Sequence, residues 1–375
     1  MRPAVATILS RLRSVSLAVG LSLLLIFALL SLVEGSAHLL LLAEQVWNAK
    51  DLAEHIHTEY DSLLGWKNTP HVSLKDFYGP DRDLTINAQG FRARHDLSPL
   101  VPDGMRRLFC VGDSFTLGFG VDDGDTWCAQ LNALVPGLET VNMGQGGYGL
   151  DQAFLWYRRD AAAFEHQFVV VAFIARDFER MRYAELGGYG KPRLGLLGDS
   201  LVVEGVPVPR TSHERRGWIR YRNALKSAIY QLKVLGVADR LAAKIGNRRP
   251  QREAAPSATE LEVGRLLMSE LAATVSARGA KLTAVYLPRR GDYRSDQARA
   301  WKDLMRTESA RGGWKFLDLT DELRSEDWET ARTFFVGAEV PFPFAAGHYS
   351  ARGNRWVAEK MLEHLEGWLP PGTSR

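Results

Sequence analysis

Residues 106–120 read RRLFCVGDSFTLGFG. Leu108 to Val111 are apolar without a polar alternation, and Gly112 closes the run. Such a run suits a strand buried on both faces, the kind found in parallel sheets covered by helices. Asp113 and Ser114 follow, then a glycine-containing turn that leads towards a helical stretch. Working outward, four further runs have the same buried-strand character: ETVNMG (139–144), QFVVVAFIA (167–175), KLTAVYLP (281–288) and WKFLDLT (314–320). Amphipathic stretches lie between them: DTWCAQLNALV, LDQAFLWYRRDAAAF, ATELEVGRLLMSELAATVSARG and RSDQARAWKDLMRTESA. This alternation predicts an α/β fold, a three-layer α/β/α sandwich around a parallel sheet.

The tripeptide Gly-Asp-Ser occurs twice, at 112–114 and at 198–200 in RLGLLGDSLVVEG. In an open parallel sheet, ligands gather beyond the carboxyl ends of the strands. A nucleophile there also gains the free N–H groups of a helix N-terminus. Ser114 has that setting. Ser200 joins two short strand signals and reads as turn chemistry in a hairpin.

Composition limits the alternatives. The chain has 375 residues, 24% of them charged, with a net charge of +3, too mild to imply a nucleic-acid partner. No CxxC, Walker loop or HExxH is present, so no metal or organic cofactor is expected. Cys110 and Cys128 read as small buried residues, with a disulfide as the lesser alternative. Val15 to Val33 contains no charge and, as a helix, would span about 28 Å, close to the apolar thickness of a bilayer. Arg2, Arg11 and Arg13 precede it, while Glu34, Glu44, Asp51 and Glu54 follow, with one Lys50. The positive-inside bias then places residues 1–14 in the cytoplasm, an anchor at 15–33 and the remainder outside the membrane. A cleaved signal peptide is the rival reading, because Gly35-Ser36-Ala37 resembles a cleavage site. Residues 34–105 read as a juxtamembrane helix and an irregular segment. Residues 106–370 read as the α/β domain, with an insertion over about 185–256 made of a two-stranded turn and a long helical segment.

Three blocks in order carry a resemblance. FCVGDSFTLGFGV resembles the first block of the SGNH (GDSL-type) hydrolases, with Ser114 at the nucleophile position. VNMGQGGYGLDQ resembles the second block, in which Gly147 matches a glycine whose N–H joins the oxyanion hole. GHYSARGNRWVAEKM resembles the last block and puts His348 at the position of the catalytic histidine. LLGWKNTP and TINAQGFRARHD are similar to membrane-anchored bacterial members. The resemblance implies a flavodoxin-like sheet and a serine ester hydrolase or O-acyltransferase that needs no cofactor. Its expected partners are acyl esters of envelope carbohydrate or lipid. Histidine suits the role of base, because its ordinary pKa lies near neutrality. The remaining histidines, His38, His166 and His364 among them, read as structural.

Two positions depart from the family pattern. Arg176 stands where an oxyanion-binding Asn is expected, and Asp177 keeps the acid that follows it. Arg176 is a candidate oxyanion donor, an anchor for an anionic substrate group, or a partner of a nearby acid. Ala345 and Ala346 occupy the positions at which the family carries the aspartate that orients the histidine. Asp177 and Glu339 are candidate replacements, and a backbone carbonyl is a third possibility. These departures also leave open a different class of function, a non-catalytic binding or accessory protein of an envelope polysaccharide pathway.

Overall fold

A computed structural model describes residues 15–32, 35–36, 57–186, 189–209, 255–296, 298–337, 342 and 345–364. The chain divides into two compact units, residues 1–51 with 217–247, and residues 52–216 with 248–375. In the first unit the described part is essentially one helix, Val15–Leu32, long and apolar enough to cross a membrane or to serve as a signal sequence. Its side chains are exposed throughout. The juxtamembrane helix expected after it, the long helical part of the insertion, His38 and Glu339 lie outside the described residues.

The second unit holds the sheet. Its strands are β1 (Arg106–Gly112), β2 (Leu138–Gly144), β3 (Phe168–Phe173), β4 (Lys281–Tyr286) and β5 (Lys315–Asp318). All are parallel, and they lie side by side in the order β2-β1-β3-β4-β5. That is the flavodoxin-like order, whose direction of winding reverses between β1 and β3. Alternate residues of β1 face opposite layers, as a pleated strand requires. Phe109 and Val111 pack with helices α3 (Leu150–Asp160), α5 (Ala258–Ser276) and α6 (Arg299–Gly312). Leu108 and Cys110 pack with α2 (Trp127–Leu134) and α7 (Ala351–His364). The three-layer sandwich is therefore as the sequence pattern implied.

The cysteines correct one expectation. Cys110 and Cys128 are buried, but they form a disulfide, with Cα atoms 6.3 Å apart. Both side chains face the same layer, Cys110 from β1 and Cys128 from α2. Residue spacing alone does not reveal which face of α2 meets the strand.

Segment 58–105 is more ordered than its composition suggested. Thr58–Asp61 pairs antiparallel with Gly65–Asn68, and Val72–Leu74 pairs with Leu84–Ile86. From this segment Arg92 reaches the loop after Ser114. Its guanidinium is buried and donates to Asp123 Oδ1 and to the carbonyls of Asp83, Leu117, Gly118 and Val121. The fixed fork of one arginine satisfies these carbonyls together. Ser200 sits where its motif suggested, exposed at the tip of a hairpin that joins Arg193–Leu197 to Ser200–Glu204.

The carboxyl ends of β1 and β2 carry glycines because the chain after β1 folds directly over them. A Cβ on Gly144 would lie 2.0 Å from the backbone nitrogen of Leu117, and one on Gly112 would lie 2.3 Å from Thr116 Oγ1. Gly146, two residues beyond the strand, has nothing within 4 Å of its Cβ position. Gly144→Ala is therefore expected to destabilise the domain by about 3 kcal/mol or more, while Gly146→Ala stays within about 0.5 kcal/mol of wild type. Urea unfolding of the two variants checks this, and equal midpoints would show that the backbone contact is not limiting.

Candidate active site

Ser114 opens a one-turn helix, α1 (Ser114–Leu117), immediately beyond β1. Asp113 caps it. Its Oδ1 accepts from Phe115 N at 2.8 Å, and its carbonyl accepts from Thr116 N and Leu117 N. The turn leaves Ser114 at the first helical position, where a backbone N–H has no partner within the helix. Gly118 ends α1 in the left-handed region, at φ +80°.

His348 comes from the loop that leads into α7. That loop is laced to residues 334–336. Val336 N donates to His348 O, Gly347 N donates to Val336 O, and Ser350 N donates to Phe334 O. Tyr349 OH donates to the carbonyl of Pro288, just past β4, at 2.7 Å. The result is a separation of 2.9 Å between Ser114 Oγ and His348 Nε2, across 234 positions of sequence. On the other side of the ring, Nδ1 lies 3.2 Å from the carbonyl oxygen of Ala345. A carbonyl can only accept, so this contact puts the ring proton on Nδ1 and leaves the Nε2 lone pair facing the hydroxyl. Phe115 and Phe119 flank the imidazole, with ring centroids 4.8 and 5.1 Å away.

Gly147 lies in the loop after β2 and adopts φ +79°, a conformation that favours glycine. Among the described residues, the N–H groups of Ser114 and Gly147 donate to no protein acceptor. Both amides are thus left without an acceptor among the described residues.

The remaining sequence candidates are placed differently. Arg176 is exposed on α4 (Ala175–Arg180) and makes no hydrogen bond or ion pair among the described residues. Asp177 is buried and engaged elsewhere. Its Oδ2 accepts from Ile174 N at 2.9 Å, and its Oδ1 accepts from Arg180 Nη1 at 2.7 Å. It serves as the cap of α4 and as a partner of Arg180. His166 is held by Tyr157 OH and the Phe164 carbonyl, and burial lowers its pKa. His364 pairs with Glu322. Both fit the structural reading.

Sequence reasoning missed Arg180 and the second role of Asp113. Arg180 Nη1 donates to Asp113 Oδ2 at 3.1 Å, and the same Oδ2 lies 3.4 Å from Ser114 Oγ. Nη1 also donates to Tyr148 O at 2.8 Å. In the sequence Arg180 was one arginine in a basic, aromatic-rich stretch. Its helical spacing of four from Arg176 was the available signal, since both then lie towards one side of α4.

Neither a family model nor a curated protein matches this sequence. Solved structures similar to the chain include the lipase/acylhydrolase from Enterococcus faecalis, at 12% identity and a TM-score of 0.40, covering 72% of this chain and 100% of that one. They also include a catalytic mutant of Axe2, an acetylxylan esterase from Geobacillus stearothermophilus, at 12% identity and a TM-score of 0.40, with coverages of 73% and 100%. A member of the lipolytic protein G-D-S-L family from Veillonella parvula matches at 12% identity and a TM-score of 0.39, with coverages of 69% and 97%. Likeness this distant carries no functional argument. The contact between Ser114 and His348 is independent of that likeness.

Burial, together with the neighbouring Asp113 carboxylate, pushes the Asp177 carboxyl well above its ordinary value of 3.8. An acid raised in this way binds its proton more tightly in the folded chain than in the unfolded one. Its contribution to stability is fully present below 3.8 and is lost as pH rises through the folded value. Asp177→Asn removes this titration while keeping a side-chain acceptor. Thermal unfolding should show wild type losing stability relative to Asp177→Asn as pH rises from about 4 towards 8. A difference that does not change with pH would mean that the carboxyl is not raised.

Proposed function

We propose that the chain is a serine ester hydrolase or O-acyltransferase of the SGNH type, with Ser114 as nucleophile and His348 as base. The contact between Ser114 Oγ and His348 Nε2 at 2.9 Å carries this reading. Serine is a weak nucleophile unless a neighbour takes its proton. Here the hydroxyl attacks an acyl carbonyl carbon, and its proton passes to Nε2. The carbonyl oxygen becomes an oxyanion and accepts from Ser114 N–H and Gly147 N–H. Collapse of the tetrahedral intermediate breaks the ester C–O bond, and the departing alcohol takes the proton from Nε2. The acyl group is left on Ser114. Water then completes hydrolysis, or a sugar hydroxyl completes transfer, with His348 again accepting the proton of the incoming group. The Ala345 carbonyl holds the ring in the tautomer that these steps need.

In this reading the Val15–Leu32 helix anchors the protein. The arginines before it are cytoplasmic and the α/β unit lies on the opposite side of the membrane. The substrates are acyl esters of envelope carbohydrate or lipid.

The test uses the detergent-solubilised full chain and a fluorophosphonate probe. Wild type and Ser200→Ala should label, and Ser114→Ala should not. His348→Gln should lower p-nitrophenyl acetate turnover by about 10²–10⁴-fold while circular dichroism is unchanged. Folded wild type that neither labels nor turns over this ester would instead favour the binding-protein reading. Labelling that depends on Ser200 would overturn the choice of serine.

A further inference from the structure

Arg180 is clamped along only part of its guanidinium. Nη1 makes all three of its hydrogen bonds, to Asp113 Oδ2, Asp177 Oδ1 and Tyr148 O. Among the described residues Nε and Nη2 have no acceptor, and neither belongs to the buried polar atoms that lack one, so both reach solvent. The side chain as a whole is only 13% exposed. Its stem is fixed and one edge is open.

The open edge is chemically specific. Nε–H and Nη2–H lie side by side in the guanidinium plane, and their spacing matches the two oxygens of a carboxylate. The place is specific as well. Asp113 Oδ2 touches both Nη1 and the Ser114 hydroxyl. Tyr148, whose carbonyl holds Nη1, directly follows Gly147 in the chain. The guanidinium is therefore one carboxylate removed from the Ser114 hydroxyl, through Asp113 Oδ2, and is bonded to the residue that follows Gly147. Asp113 on the clamped side repels a dianion, so a monoanionic carboxylate fits better than a phosphate monoester.

From this arrangement we infer that Arg180 is a specificity residue, which binds a carboxylate carried by the substrate close to its ester bond. This rests on the esterase reading and narrows its substrate class to acidic esters. The carboxylate belongs either to the acyl group, as in a half-ester of a dicarboxylic acid, or to the alcohol, as in an acylated uronic acid. Arg180 takes no proton and makes no bond in the reaction. It orients the ester against Ser114.

Matched substrates test both sources. For the acyl side, mono-p-nitrophenyl succinate is compared with p-nitrophenyl butyrate. For the alcohol side, O-acetylated galacturonate is compared with its methyl ester. Wild type should favour the acidic member of at least one pair. Arg180→Gln should lower kcat/KM for that member about ten- to a hundredfold more than for its neutral partner, mainly through KM. Arg180→Lys keeps the charge but not the fork, and should fall between the two. It also serves if the Gln variant does not fold. Wild type that favours the neutral member of both pairs overturns the proposal without any variant. So does an Arg180→Gln loss equal for acidic and neutral members.

A binding measurement separates this proposal from the esterase reading. Calorimetry with succinate and with galacturonate, on Ser114→Ala and on Ser114→Ala/Arg180→Gln, needs no turnover. Binding lost with Arg180 supports the fork even in a protein that fails to label with fluorophosphonate. A labelling enzyme that binds neither anion keeps the esterase reading and loses this one.

Discussion

Backbone on backbone is the constraint from which the site follows. The chain beyond β1 turns back so closely that the peptide of Thr116–Leu117 rests against Gly144 at the end of β2. The same closeness recurs at the entry to α7, where a Cβ on Gly353 would lie 2.0 Å from the carbonyl oxygen of Phe334. One contact fixes the height of Ser114 above the sheet. The other fixes the start of α7, and with it the loop that presents His348. Interiors packed this tightly have few alternative arrangements of similar energy. A hydrogen bond between residues 234 positions apart can then keep its length without a local tether.

Charge is arranged around this frame in fully buried links. Lys191 and Asp151 form an ion pair at 2.6 Å with both side chains inaccessible. The lysine also donates to the carbonyls of Arg180, Tyr183 and Pro192. An isolated pair at such depth returns little, because desolvation offsets the attraction. Here the additional acceptors satisfy the ammonium group, so the link serves to fix position. It joins the start of α3 to the chain beyond α4, and Arg180 O is one of its acceptors. The backbone of Arg180 is thus held by Lys191, and its Nη1 by Asp113, Asp177 and Tyr148.

The sheet was legible because buried strands write their burial into composition. RLFCVG and FVVVAF permit little else between amphipathic stretches. The choice of Ser114 over Ser200 followed from the same logic, strand end against hairpin tip. Other features were hidden for physical reasons. Short hairpins in segment 58–105 are held by side chains such as Asn87, bonded to backbone groups within its own turn, and Arg92, bonded to distant carbonyls, and neither leaves a periodic trace. The pairing of Cys110 with Cys128 depends on the rotation of α2 about its axis. Arg176 and Arg180 look alike in sequence, yet one is exposed and the other is only 13% exposed. What separates them is their partners, since Arg180 alone finds Asp113, Asp177 and the Tyr148 carbonyl among the described residues.

The imidazole shows how a position can be held by means that a motif does not encode. Ala345 and Ala346 stand where the resemblance leads one to expect a carboxylate, but the main chain there still offers a carbonyl to Nδ1. A carbonyl dipole fixes the tautomer as well as a carboxylate does. In the proposed reaction it would stabilise the imidazolium less strongly, because it brings no full charge. Phe115 and Phe119 act on the other degree of freedom, rotation of the ring out of its plane, which the hydrogen bond at Nδ1 restrains poorly. Among the described residues, orientation is therefore divided between a backbone acceptor that sets the proton and two rings that set the plane, and of these the rings alone are visible as side chains in the sequence.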